Sequence, residues 1–295
     1  MGIEDCLGDF QIPEYLHYMD SAATSLIPEP VIAAMNEYDR QYRASVGRGM
    51  HRLARVATQR YQDAHDKVGS FIGGKGGTTV FTRNATEAIN MVAAGFDWKP
   101  GDRIVTTVVE HHSNLLPWLR LRQKGVEVVV IQPGEVGVFD LETFKEAITA
   151  GTKLVAVSHA SNVLGTVQPV REIADICKAQ GAYFLVDGAQ SVPHFPVDVR
   201  HIGCDFLCFS GHKMLGPTGT GILWMRDEII SPLILGGGTV EDVTTEGCTL
   251  TSGYRRFEGG TPNISGAIGL AQAVKYLESL GMGSVLRHEQ RLTDR

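Results

Sequence analysis

Short runs of apolar, β-branched residues alternate with helical patterns along most of this chain, and that alternation restricts the fold more than any other feature. KLVAVSH (153–159), YFLVD (183–187), DFLCFS (205–210) and GILWM (221–225) are apolar almost throughout rather than at every second residue. A strand reads this way when both of its faces are buried. RIVTTVV (103–109), VEVVVI (126–131) and a short strand at 78–82 belong to the same set. Between them, helices are expected over 29–43 (Pro30 in its first turn), 54–72, the run TEAINMVAAGF, 114–124, 140–149 and 169–180. Buried strands separated by helices predict an α/β fold with a mostly parallel central sheet covered by helices on both faces.

In open sheets of this kind, ligands lie beyond the carboxyl ends of the strands. Those ends carry Arg83-Asn84-Ala85-Thr86, Glu110-His111-His112, His159-Ala160-Ser161-Asn162, Asp187-Gly188-Ala189-Gln190 and Ser210-Gly211-His212-Lys213. A scaffold alone does not need so many titratable side chains there. Asp187 and Lys213 each follow an apolar strand and lie about one crossover apart in sequence. A plain buried ion pair would explain them. So would a site for pyridoxal 5'-phosphate (PLP), in which the lysine holds the cofactor as an imine and the carboxylate keeps the pyridine nitrogen protonated. Ala85 and Thr86 open a helix after a strand, which suits a phosphate, with Ser210 and His212 completing the cradle. Thr86 also reads as a helix cap. GGKGGTT (73–79) lacks the residue order of a nucleotide loop and reads as a turn. His111 and His112 are expected to point to opposite sides of an extended segment, one of them over a cofactor ring, and no metal site is expected.

The net charge of −6 offers no basic face for nucleic acid. The first twenty residues have no secretory pattern, and no apolar run is long enough to span a bilayer. A soluble cytoplasmic protein is expected. Cys6, Cys177, Cys204, Cys208 and Cys248 are widely spread and read as thiols, not as a zinc site.

DGAQSVPHFPVDVRHIGCDFLCFSGHKMLGPTGTGILW strongly resembles the class V aminotransferase family, in particular the SufS-type (group II) cysteine desulfurases. So do YMDSAATS, TRNATEAIN, EHHSNLLPW, SHASNVLGTVQPV and RRFEGGTPN, in family order from about Tyr18 to the end. The resemblance implies the PLP-dependent transferase fold type I, with a PLP-binding large domain over 21–265. An N-terminal segment, 1–20, would precede it, and 266–295 would begin a truncated C-terminal domain. It implies Lys213 as the imine lysine, Asp187 as partner of the pyridine nitrogen and His111 as the ring-stacking proton-transfer group. Gln190 and Asn162 would stand near the phenolic oxygen. Ala85, Thr86, Ser210 and His212 would hold the phosphate, and Thr261 would reach the phosphate of a neighbouring subunit in a homodimer. The implied reaction takes sulfur from L-cysteine, leaves alanine, and passes the sulfur to an acceptor protein for iron–sulfur cluster assembly.

Relatives of this type continue for roughly another hundred residues, into a small domain that carries the persulfide cysteine and a carboxylate-binding arginine. This chain stops at Arg295, inside an expected helix, and none of its cysteines matches that position. Gly47 stands where relatives often have histidine. Slow, unproductive handling of cysteine by these residues alone is therefore expected. Cys6 is assigned to a loose N-terminus, and Cys248, in a polar loop, is the only thiol placed near a site. A different class V reaction, such as selenocysteine lyase or an epimerase, and a non-catalytic PLP-binding dimer are the alternative readings.

Overall fold

A computed structural model describes residues 3–13, 15–134 and 137–294. Seven strands form the main sheet: β1 (Thr78–Thr82), β2 (Arg103–Thr107), β3 (Glu127–Ile131), β4 (Thr152–Ser158), β5 (Tyr183–Asp187), β6 (Phe206–Ser210) and β7 (Gly221–Met225). Their order is β1-β7-β6-β5-β4-β2-β3. Only β7 runs antiparallel to its neighbours. The remaining pairs are parallel, so β1, β2, β4, β5 and β6 all end at one edge.

Side chains along these strands alternate between two cores. Val155, Val157, Phe184, Val186, Leu207 and Phe209 enter one of them. Leu154, Ala156, Leu185, Phe206 and Cys208 enter the other. A strand has a period of two, so an apolar residue at every position serves both faces. Each large side chain buried this way contributes about 1.5–3 kcal/mol.

The helices are α1 (Glu29–Glu37), α2 (Arg52–Phe71), α3 (Ala85–Gly95), α4 (Leu116–Leu121), α5 (Leu141–Ala147), α6 (Val170–Gln180), α7 (Val199–Ile202), α8 (Ile264–Leu280) and α9 (Met282–Thr293). α1 and α4 depart from the expected spans, and α7 and α8 had none. α1 continues as a single π turn, Tyr38–Tyr42, rather than as regular helix. α4 is shorter than 114–124, because a helix running through 114 would need the N–H that Pro117 lacks. It is flanked by 3₁₀ turns and stops at Gly125, whose φ is 77°. α8 was not anticipated. It packs against α1 and α2 and is buried nearly all round, so it shows no amphipathic stripe. A polar hairpin, β8 (Val240–Val243) with β9 (Cys248–Leu250), stands apart from the main sheet.

Cys6 is not in a loose segment. It lies in the 3₁₀ stretch Ile3–Asp9, is buried, and donates its thiol hydrogen to the Ile3 carbonyl. Among the described residues, no helix is long and apolar enough to cross a membrane.

Candidate active site

The strand ends converge on a cavity of about 490 Å³. Lining it are Ala85, Thr86, His111, Asn162, Asp187, Gln190, Ser210, His212 and Lys213. These are all the site residues expected from the sequence except Thr261. Within this chain Thr261 lies elsewhere, in a separate cavity of about 450 Å³ with Arg48, Thr58, Tyr61, Arg255 and Glu258.

Asp187 ends β5 and is buried, and its Oδ1 accepts the Ala189 N–H at 3.0 Å. Burial raises its pKa above the usual carboxylate value, while the Ala189 hydrogen bond, Lys213 and His111 oppose that rise. Lys213 follows β6 at the end of a 3₁₀ turn. Burial lowers its pKa, against the pull of Asp187. The half-buried amine thus loses its proton more readily than a surface lysine, which makes it a better nucleophile and base.

The Lys213 loop is fixed from the N-terminal segment. The carbonyl of His212 accepts the Ser25 N–H at 2.7 Å and the Ser25 hydroxyl at 3.0 Å. Leu215, two residues past the lysine, has a φ of 62° and donates its N–H to Ser25 Oγ at 2.8 Å. A non-glycine residue in this region costs of order 1 kcal/mol or more and persists only where its surroundings hold it. Asp20, Ala22 and Ala23 line the cavity as well, and Gln190 Nε2 donates to the Ala22 carbonyl at 2.9 Å. Asp20, Ala22, Ala23 and Ser25 had no expected role beyond the YMDSAATS resemblance.

The anion cradle departs from expectation in one detail. The cap of α3 is Asn84, whose side chain accepts the Glu87 N–H at 2.9 Å, and not Thr86. Thr86 lies one residue inside the helix, and its hydroxyl is 2.6 Å from Ser113 Oγ. Ser210 Oγ accepts the Ala85 N–H at 2.9 Å, which leaves its own proton to donate.

His111 itself is extended (φ −58°, ψ 147°), but the extended run stops there. It caps a 3₁₀ turn, His112–Asn114, and its Nδ1 accepts the Ser113 N–H at 3.1 Å. In the neutral ring the proton therefore sits on Nε2. The two adjacent imidazoles lie 5.9 Å apart at 46°, so the turn keeps them side by side rather than on opposite sides. Beneath them, Glu110 is buried and accepts from Thr107, Asn114 and Ser158. Glu110, read as a polar strand end, and Ser113 and Ser158 stood within the EHHSNLLPW and SHASNVLGTVQPV motifs, with no role expected for any of them.

Cys248 is exposed on β9 and does not line the cavity. The other four cysteines are buried, and burial pushes the Cys204 thiol up to about 12.

A buried carboxylate, a half-buried lysine with depressed basicity and a cradle of hydroxyl and backbone donors at one sheet edge fit PLP in all its parts: ring nitrogen, carbonyl carbon and phosphate. Fold and site together define a PLP-dependent enzyme of fold type I. Residues 17–295 match the family described as aminotransferase class-V, and the chain belongs to that family. It is 46% identical over 299 residues to a probable cysteine desulfurase of Pyrococcus abyssi, covering 99% of this chain and 74% of that protein. The apo structure of a cysteine desulfurase from Thermococcus onnurineus superposes with a TM-score of 0.96 at 46% identity, over 100% of this chain and 75% of that one. The Escherichia coli cysteine desulfurase CsdA, in an S-sulfonic acid form, superposes at 0.86 with 36% identity, over 94% and 72% of the two chains.

Proposed function

We propose that this chain is the cofactor-binding part of a cysteine desulfurase. The overall reaction converts L-cysteine and an acceptor thiol to L-alanine and a persulfide, so the sulfur atom moves and no outside oxidant is needed. The observation that carries the reading is the convergence of Asp187, Lys213, His111 and Gln190 on one cavity, together with the identity to cysteine desulfurases over nearly the whole chain.

Lys213 holds the cofactor through its amine, and Asp187 faces the pyridine nitrogen. His111 covers the ring. Gln190 and Asn162 address the phenolic oxygen, and Ala85, Thr86, Ser210 and His212 hold the phosphate. Bound there, PLP supplies an electron sink for charge developing at the substrate α-carbon. With the cofactor bound, the Lys213 amine would stand where it could move the α-proton, and its lowered basicity would favour giving that proton up. Asp187 would supply the negative charge that keeps the ring nitrogen protonated.

The proposal extends to a cytoplasmic homodimer serving iron–sulfur cluster assembly, with Thr261 reaching the phosphate held by a second copy. It divides the chain into a 1–20 segment, a large domain over 21–265 and the start of a second domain over 266–295. No cysteine lines the cavity. The acceptor thiol and the cation for the substrate carboxylate are therefore not assigned to the lining of this cavity.

Purified protein supplied with PLP should be yellow, and borohydride should fix the cofactor on the peptide containing Lys213. L-Cysteine should perturb the visible band more than L-serine does. A protein that stays colourless with added PLP would sink the proposal.

A further inference from the structure

Glu110 is a buried carboxyl group that the reaction does not use. Its Oε1 accepts the Thr107 hydroxyl at 2.6 Å. Its Oε2 accepts Asn114 Nδ2 at 2.6 Å, the Ser158 N–H at 2.8 Å and the Ser158 hydroxyl at 2.7 Å. These donors belong to three separate pieces of the site. Thr107 is the last residue of β2, Asn114 closes the 3₁₀ turn that follows His111, and Ser158 is the last residue of β4.

One side chain thus closes the 107–114 excursion at its base and ties it to the neighbouring strand. Ser158 is in turn the register partner of Asp187 on β5, and the Asp187 carbonyl accepts the His159 N–H at 2.9 Å. The tip of the excursion has weaker support. Val108, His111 and His112 are exposed. Their ties are the Val108 N–H to the Ile131 carbonyl, the turn's own hydrogen bonds and the Thr86–Ser113–His111 chain of polar contacts. Among the described residues no cation faces Glu110 in exchange for its burial, and the hydrogen bonds from Ser158, Thr107 and Asn114 are what oppose its desolvation.

We infer that Glu110 is the positioning residue that sets His111 over the cofactor ring and holds the Ser158–Asp187 strand ends in register with it. The inference rests on the proposed role of His111. Charge and shape can be separated at this position. In Glu110→Gln, the amide oxygen can take the place of Oε2 and keep its three donors. The amide nitrogen then replaces Oε1 and donates to Thr107 Oγ1, which can accept. The Asn114 and Ser158 donors stay satisfied, while the Thr107 hydroxyl turns from donor to acceptor. Glu110→Ala instead strands the donors of Asn114 and Ser158 in a buried site.

The test compares the parent, Glu110→Gln and Glu110→Ala. PLP is achiral, so circular dichroism in its visible band arises only from a fixed orientation in the site. The His111 imidazole signal in NMR spectra, assigned with His111→Asn, reads the same geometry without cofactor. Glu110→Gln is expected to keep both signals. Glu110→Ala should lose most of the visible dichroism while still absorbing, and its His111 signal should shift or broaden. A merely structural loss would lower the unfolding temperature and leave both signals in place; that outcome overturns the inference. If Glu110→Ala does not fold, Ser158→Ala and Thr107→Val each delete one donor, and parent-like dichroism in both would overturn it equally. A parent that binds no PLP overturns the cofactor reading instead, and the cofactor-free His111 signal still decides the role of Glu110.

Discussion

Gly221 and Asn84 approach so closely that a Cβ built on Gly221 would stand 2.4 Å from the Asn84 Cα. Gly221 opens β7 and pairs with both Thr82 and Ser210. Asn84 caps the helix whose first N–H meets the Ser210 hydroxyl. The cradle is therefore built against a backbone with no side chain, and its height above the sheet is set by that contact.

Gly221→Ala must push the Asn84–Ala85 backbone outward. Overpacking of this kind costs roughly 1–3 kcal/mol, so cofactor affinity should fall by about tenfold or more. Gly151 has open space around its missing Cβ, and Gly151→Ala should leave affinity unchanged. Equilibrium titration of both variants with PLP gives the comparison; equal affinities would show that the cradle tolerates displacement.

Asp187→Asn should fold. Its amide oxygen can still accept the Ala189 N–H that Asp187 Oδ1 accepts now. What it loses is the negative charge that supports a protonated ring nitrogen. The rate at which the α-proton of L-alanine exchanges with deuterated water should drop on the order of a hundredfold or more, while PLP still binds. An unchanged rate would reduce Asp187 to a structural carboxylate that holds the Ala189 N–H.

Thr261 lies outside the cavity of its own chain, so the proposed phosphate contact requires a second copy. Light scattering at micromolar concentration should show a dimer, the commonest closed assembly. Thr261→Ala should weaken PLP binding about tenfold, as expected for one hydrogen bond to a charged group, without changing the visible dichroism much. A monomer that binds PLP with the parent's affinity would refute the shared site.

Much of this arrangement was legible because the strands are buried on both faces and leave continuous apolar runs, such as Phe206–Ser210. Their ends can then be read directly, and Asp187, Lys213 and His111 stand there. α8 escaped notice because a helix buried all round carries no 3.6-residue stripe; Ile264, Ala267, Leu270, Ala271 and Val274 are all buried, and so are Gly266 and Gly269 between them. Asn84 and Thr86 are both good caps by residue type, and only the backbone decides between them. Glu110 was visible as a residue but not as a function. Its importance depends on Ser158, far away in sequence, and nothing in the local pattern announces that contact.

Glu110 and His159 should give the stability of this protein opposing dependences on pH. Burial raises Glu110 from 4.5 to about 7. Between those values the unfolded chain has released that proton and the folded one retains it, so stability falls as pH rises. Burial lowers His159 from 6.5 to about 4, and no hydrogen-bond partner is found for its buried Nδ1 among the described residues. Between those values the unfolded chain holds the extra proton, so stability rises with pH. Over most of the range from 4.5 to 6.5 the two slopes cancel. Glu110→Gln keeps the hydrogen-bond frame and removes one slope, leaving that of His159. Relative to the parent, the variant should therefore gain on the order of 3 kcal/mol between pH 4.5 and pH 7, since each pKa unit is worth about 1.4 kcal/mol. His159→Gln should shift in the reverse sense across pH 4 to 6.5. Urea unfolding of the cofactor-free proteins at several pH values measures both differences. Parallel curves for parent and Glu110→Gln would mean that the Glu110 carboxyl titrates alike in the folded and unfolded chain, and that its four donors fully offset its burial.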